Sequence, residues 1–267
     1  MLMDENGVYR MDCKIVFFDV DGTLINYEDD CIEESARKAI DELKQRGIRI
    51  VAATGRPLSM CQRLRNIGIE TFITANGAYV KHQNQVIHKV PIDKNIVQAV
   101  QAYANENKQS LSFFTEQLFM NNVHKPRTLK ALQETLSLSK FPEFHENIVE
   151  QEIYLMCLYA NKDIEQIYTA QFPHLKFKRW HPYITNVLQS DISKSIAVQA
   201  VLDYFNLSSE EALAFGDGNN DIDMLEQVGF GVAMGNASEA LKNSADYITK
   251  KSIEGGIYHA LQELQII

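Results

Sequence analysis

Residues 14–23 read Lys14-Ile15-Val16-Phe17-Phe18-Asp19-Val20-Asp21-Gly22-Thr23. Lys14 to Phe18 is a short β-branched and aromatic run, the pattern of a strand buried on both faces. It stops at two carboxylates one residue apart, followed by glycine. Like charges buried side by side are unfavourable unless a proton or a cation holds them together. An open α/β sheet provides a place for such a pair, in the crevice outside the carboxyl ends of its parallel strands. The stretch therefore predicts a parallel-sheet fold with a metal-assisted site at the end of a buried strand. The partners of the two carboxylates are expected far downstream.

Working outward, Glu33 to Gln45 carries Ala36, Ala39, Ile40 and Leu43 at helical spacing and ends at Gly47. Ile48–Ala53 predicts a second buried strand, closing in Thr54-Gly55-Arg56-Pro57. Pro57 suits the first turn of a helix with Leu58, Cys61, Leu64 and Ile67 on one face. Glu70–Thr74 predicts a third strand, running into Ala75-Asn76-Gly77-Ala78. Alternating strands and helices are the signature of a parallel sheet with helices on its faces.

The pattern then changes. Residues 78–90 read as a hairpin, AYV and VIHKV around a polar HQNQ. After it come helices near Lys94–Glu106, Arg127–Leu136 and Ile164–Gln171. Between them lie extended segments near Leu111–Thr115, Glu152–Tyr159, Leu175–Trp180 and Tyr183–Leu188. This grammar predicts an antiparallel sheet with helices on one side. From Lys194 the first rhythm returns: helix Lys194–Phe205, strand Ala212–Phe215, the turn Gly216-Asp217-Gly218-Asn219-Asn220-Asp221, and helix Asp221–Val228. Strand Gly231–Ala233, a helix near Glu239–Asn243, strand Asp246–Thr249 and helix Gly256–Leu264 finish the chain. The expected fold is α/β, a doubly wound Rossmann-like core from residues 1–83 and 190–267 with an inserted α+β cap at 84–189. The boundaries sit near His82–Val86 and Leu188–Ile192.

Charge follows the same division. Residues 85–189 hold 10 acidic and 11 basic residues, whereas the flanks hold 25 acidic and 15 basic. A near-neutral middle inside an acidic chain is what an insertion looks like. Over 267 residues the net charge is −9, which argues against a nucleic-acid or anionic-membrane partner. The apolar runs are strand-sized, so no transmembrane helix is expected. The first dozen residues, MLMDENGVYRMD, lack an apolar signal-peptide core, and Met11 is a second candidate start. Cys13, Cys31, Cys61 and Cys157 are scattered, as expected of reduced thiols in a cytoplasmic protein. Oligomeric state is not legible.

Three buried strands end in polar motifs, DVDGT, TGR and GDGNND. In a parallel sheet all carboxyl ends share one edge, so Asp19, Asp21, Asp217 and Asp221 converge although about 200 residues separate the outer motifs. Hard oxygen ligands with room for water and a phosphate oxygen suit Mg²⁺. An EF-hand reading of Asp217-Gly218-Asn219-Asn220-Asp221 fails, because Ile222 stands where the loop glycine belongs and Val228 where the glutamate belongs. No Walker loop, zinc spacing or G-x-S-x-G is present.

In this order DVDGT, TGR, a lysine opening a helix, and GDGNND resemble the haloacid dehalogenase superfamily. The flanking residues Thr74-Ala75-Asn76-Gly77-Ala78, Ala214-Phe215-Gly216-Asp217-Gly218 and Gly231-Val232-Ala233-Met234-Gly235-Asn236-Ala237 resemble its Cof-like sugar-phosphatase branch, with a type IIB cap. The resemblance covers both flanks in motif and the middle in position and α+β character only.

The resemblance implies a Mg²⁺-dependent phosphomonoester hydrolase acting on a small-molecule phosphate ester such as a sugar phosphate, through an aspartyl-phosphate. Asp19 would be the nucleophile. Asp21 would be the acid/base. The Asp19 and Asp217 carboxylates and the Asp21 main-chain carbonyl would hold the metal, with Asp221 beside them. Thr54 and Gly55 would bind phosphoryl oxygens, and Lys194 would offset charge. Asn76 and Asn220 would reach substrate or phosphate, and Arg56 would either contact substrate or hold the site by an ion pair. The lysine is commonly followed by glycine, whereas here Ser195 follows, which leaves Lys242 as the other candidate lysine. In the cap, Lys178, Arg179, Trp180, His181 and Tyr183 form a candidate substrate reader, with His124 and Arg127 as further candidates. The acid at Asp21 excludes the ion-pumping ATPases and the dehalogenases of the superfamily. A phosphohexomutase and a non-catalytic phosphate-binding regulator are the alternatives. The motifs do not name the substrate.

Overall fold

The computed structural model describes residues 12–28, 30–189 and 192–267, with the backbone of residues 2–3 and 9–10. Met11, and Ser190 and Asp191 at the second boundary, lie outside the described residues. Strands β1 (Leu2–Met3) and β2 (Tyr9–Arg10) form a small antiparallel ladder. β3 (Ile15–Asp19) follows with every residue buried. Helix α1 (Glu34–Gln45) buries Ala36, Ala39, Ile40 and Leu43, the stripe that its spacing dictates. β4 (Arg49–Ala53) leads to a 3₁₀ turn, Leu58–Cys61, and the short helix α2 (Gln62–Asn66). The single helix expected from Pro57 is thus split. Its apolar residues recur every third position, which is the 3₁₀ period.

β5 (Thr71–Thr74) turns back through residues 75–77 into β6 (Tyr79–His82) and β7 (Gln85–Lys89). The next elements are α3 (Lys94–Glu106), β8 (Leu111–Phe114), β9 (Leu118–Met120), α4 (Pro126–Leu136), β10 (Leu155–Leu158), α5 (Lys162–Gln171), β11 (Lys176–His181) and β12 (Ile184–Leu188). The chain closes with α6 (Lys194–Phe205), β13 (Ala212–Gly216), α7 (Ile222–Gln227), β14 (Phe230–Ala233), α8 (Glu239–Ser244), β15 (Tyr247–Ile248) and α9 (Gly256–Glu263).

Two compact units result. One holds Met1–Arg56, Cys61–His88 and Ser193–Ile267, and the other holds Pro57–Met60 and Lys89–Ile192. The first is built on a sheet in the order β15-β14-β13-β3-β4-β5-β6-β7. From β15 to β5 its neighbours are parallel, while β5 and β6 run antiparallel. The hairpin that marks the change of grammar in the sequence is therefore an antiparallel edge on the core sheet. Ala75 and Asn76, at φ +50° and +56°, reverse the chain there. One face of the sheet packs Ile15, Phe17, Val51 and Ile73 against Ala197, Val201 and Leu225. On the other face Phe18 stacks on Phe215 at 5.0 Å between ring centroids. Tyr258 of α9 donates to Glu42 of α1, joining those two helices.

The second unit has a five-stranded sheet in the order β11-β12-β10-β8-β9, antiparallel throughout. Leu111, Phe113, Met156, Leu158 and Val187 pack on Val97, Val100 and Ala104 of α3 and on Tyr168 of α5. Asp93 and Asn161 cap these two helices through their side-chain oxygens.

Candidate active site

Adjacent parallel strands deliver the motifs to one edge. β3 and β4 pair Asp19 with Ala53, and β13 and β3 pair Phe215 with Phe18. Lys194 opens α6, and Ser193 before it caps the helix by accepting from the Ile196 N–H at 3.3 Å. The Lys194 side chain is 1% exposed. Its Nζ donates to Asp19 Oδ1 at 2.5 Å, Asp221 Oδ1 at 2.6 Å and the Ala53 carbonyl at 2.9 Å. Three N–H groups meet three acceptors, so the buried ammonium is saturated. Burial disfavours its charge, but Asp19 and Asp221 outweigh burial and hold its pKa above the ordinary lysine value.

Asp221 turns its second oxygen to the turn that carries Asp217. It accepts from the main-chain N–H groups of Asp217 at 3.1 Å and Gly218 at 2.9 Å. Oxygens of Asp19, Asp217 and Asp221 all lie within 4.8 Å of one another, and all three residues are buried. Two carboxylates thus hold one ammonium, and a third lies beside them. Burial first, and the Asp221 charge second, raise the Asp19 pKa well above the carboxylate range and push Asp217 up to about 7. The donors are all oxygen, close-set and over-negative. That chemistry fits a hard divalent cation.

Asp21 points elsewhere. Its carboxylate takes a two-pronged contact from Arg56, Nη2 to Oδ1 at 2.5 Å and Nε to Oδ2 at 3.1 Å. Arg56 also lies 3.7 Å from Asp30, which Arg63 holds at 2.9 Å. Thr54 is buried, and its hydroxyl accepts from the Arg56 N–H at 3.0 Å, shaping the turn. Asn76 sits at φ +56° with its amide against Gly55. Asn220 is exposed, its Oδ1 over Gly218. Lys242 pairs with Glu239 on α8 and does not join the carboxylates.

Two neutral residues outside the expected site set also reach the group. Asn236 donates to the Gly22 carbonyl at 2.8 Å and reaches Asp217 Oδ2 at 3.4 Å. Its position at the end of a core strand, β14, was the available signal. Tyr27 donates its phenol proton to the Asp21 carbonyl at 2.7 Å, and nothing in its local pattern marks it.

In the second unit the basic and aromatic group divides. Arg179 is paired with Glu165 at 2.5 Å and donates to the Ala160 and Pro182 carbonyls, both at 2.9 Å. His181 faces Glu134 at 3.3 Å, and Tyr183 lies under the Arg127 guanidinium. His124 stacks on Phe141. Lys178 and Trp180 remain exposed on β11, with the Trp180 indole N–H donated to Asn186 at 2.8 Å.

Known proteins resemble the chain over nearly its whole length. The family model of haloacid dehalogenase-like hydrolases matches residues 16–261. YkrA of Bacillus subtilis (strain 168), provisionally named a phosphatase, is 36% identical over 260 residues, 96% of this chain and all of its own. The solved structure of BT1666, a phosphatase from Bacteroides thetaiotaomicron, superposes with a TM-score of 0.84 at 30% identity, covering 96% of both chains. That of BT4131, a subclass IIB sugar phosphatase, gives a TM-score of 0.82 at 32% identity, covering 95% of this chain and 100% of its own. With buried Asp19 and Lys194 and a carboxylate cluster on one sheet edge, the chain belongs to the haloacid dehalogenase-like hydrolases, in their Cof-like phosphatase branch.

Proposed function

We propose that the chain is a Mg²⁺-dependent phosphomonoester hydrolase of small phosphorylated metabolites, sugar phosphates or similar, acting through a phospho-Asp19 intermediate. The observation that carries this reading is Asp19 itself, buried, held by Lys194, and beside a second and third carboxylate. Lys194 fixes one Asp19 oxygen and leaves the other to attack phosphorus. As the ester P–O bond breaks, the leaving oxygen takes a proton from Asp21. Asp21 then takes a proton from the water that cleaves the phospho-Asp19 linkage and releases phosphate. Both Asp21 oxygens rest on Arg56, so this work requires one of the two contacts to open.

A bound divalent cation supplies charge neutralisation between the carboxylates and the phosphate dianion. Asp19, Asp217 and the Asp21 carbonyl would hold it. Asp221, with both oxygens engaged by Lys194 and the 217–218 amides, orients the group from behind. Thr54 and Gly55 lie on the same edge for phosphoryl oxygens, with Asn76 and Asn220 as further contacts. The inserted segment, residues 84–189, chooses the substrate, with exposed Lys178 and Trp180 as its readers. The sugar-phosphatase title of BT4131 supports the sugar-phosphate class.

Asp19→Asn tests the reading. The variant should release no phosphate from p-nitrophenyl phosphate with Mg²⁺ while keeping the wild-type circular dichroism spectrum. Wild-type turnover by that variant would remove Asp19 from the mechanism.

A further inference from the structure

We propose that Tyr27 is a displaceable cover beside the carboxylate cluster, occupying the Asp21 carbonyl oxygen in the cation-free protein and withdrawing when a divalent cation enters. The proposal rests on the metal-binding part of the function proposed above. Three observations place the phenol. Its hydroxyl donates to the Asp21 carbonyl at 2.7 Å. Its ring edge packs over Gly22 from the side of Asp217. The point where a Cβ would stand on Gly22 is 2.3 Å from Tyr27 Cε2 and 2.2 Å from Asp217 Oδ2, so ring and carboxylate share one small space. Third, Tyr27 is 70% exposed although its tip is bound in this way.

A phenol O–H presents the same positive end to the Asp21 carbonyl oxygen that a cation would, and the two compete for it. The competition is one-sided in design. The ring gives up one hydrogen bond and little buried surface on leaving, so displacement is cheap compared with ejecting a core residue. The backbone beneath it is anchored independently of the phenol. Asn26 N–H donates to the Cys31 carbonyl at 3.0 Å, the Asn26 amide donates to Glu33 at 2.7 Å, and Asp30 is gripped by Arg63. Asn26 and Asp30 therefore keep their anchors when the Tyr27 side chain moves.

Gly22 is part of the device. It sits at φ +91°, where only glycine is at ease, and its missing side chain is the space in which ring and carboxylate meet.

The test is isothermal titration of Mg²⁺ into the metal-free protein, wild type against Tyr27→Phe, alongside near-ultraviolet circular dichroism of the same titration. Removing the hydroxyl should tighten Mg²⁺ binding by about 2- to 10-fold, the range that one net hydrogen bond supplies. The wild-type titration should also show a tyrosine signal change that the variant lacks. Equal or weaker binding by Tyr27→Phe, with wild type binding normally, overturns the cover and leaves the metal reading intact. Absence of Mg²⁺ binding by wild type overturns both. Matching far-ultraviolet circular dichroism spectra of the two metal-free proteins serve as the folding control.

Discussion

At the scale of single residues, the site is a problem in charge, and Lys194 is its solution. One ammonium with three protons serves Asp19, Asp221 and the Ala53 carbonyl, all out of water. Replacing it with Met keeps the length and apolar stem but leaves two buried carboxylates without a cation. Lys194→Met should lower the stability of the metal-free protein by about 3–5 kcal/mol, the usual result of removing one member of a buried pair. It should also abolish phosphate release. Urea melts of the metal-free proteins check the first part, and coincident unfolding curves would show that Lys194 does not neutralise the cluster. The charged members of the site were legible in the sequence because charge at a buried strand end needs an explanation. Tyr27 and Asn236 were not. Neutral polar side chains carry no such penalty in one dimension, and only folding shows that they touch Asp21, Gly22 and Asp217.

At the scale of elements, the turn after β5 is what brings α6 into register. Gly77 has φ +104°, and a Cβ there would stand 2.1 Å from the Ser193 carbonyl, the residue that caps α6 one position before Lys194. The Asn76-Gly77 pair makes the β5–β6 hairpin turn, and close backbone approach adds a second demand for glycine at Gly77. Gly77→Ala adds both left-handed strain and a main-chain collision. It should cost about 1–3 kcal/mol and displace the Lys194 end of α6. Turnover should fall by more than the loss of folded protein accounts for, which thermal melts and activity measured together can separate. Unchanged kcat in the folded fraction would show that the turn does not set the lysine. Long periodic elements were legible to the residue, α3 and α6 among them. The three-residue β9 was not, because so short a run has no period. The break before α2 is not legible, because a three-residue apolar spacing fits one α-helix face and a 3₁₀ turn alike.

At the scale of the whole molecule, the chain leaves the core sheet after β7 and returns at α6. It then lays β13 beside β3 in parallel register, Ala212 opposite Ile15. That return brings Asp217 and Asp221 to the edge that holds Asp19, so the carboxylates come together only in the folded first unit. This links metal, protons and stability. In the metal-free protein, burial and then the Asp221 charge push the Asp217 pKa up to about 7, and raise Asp19 in the same direction. A carboxyl with a raised folded-state pKa favours folding in its protonated form. Its contribution is complete below about pH 4, the range where the unfolded group titrates, and is lost as pH rises through about 7. A bound divalent cation favours the ionised carboxylates and reverses that loss. The metal-free protein should therefore melt at a lower temperature at about pH 8 than at about pH 6. The increase in melting temperature on adding Mg²⁺ should grow over the same interval. Differential scanning calorimetry with and without Mg²⁺ at both pH values measures the two differences. A Mg²⁺ increment that stayed flat, or shrank as pH rose, would mean that the cation does not bind at Asp19 and Asp217.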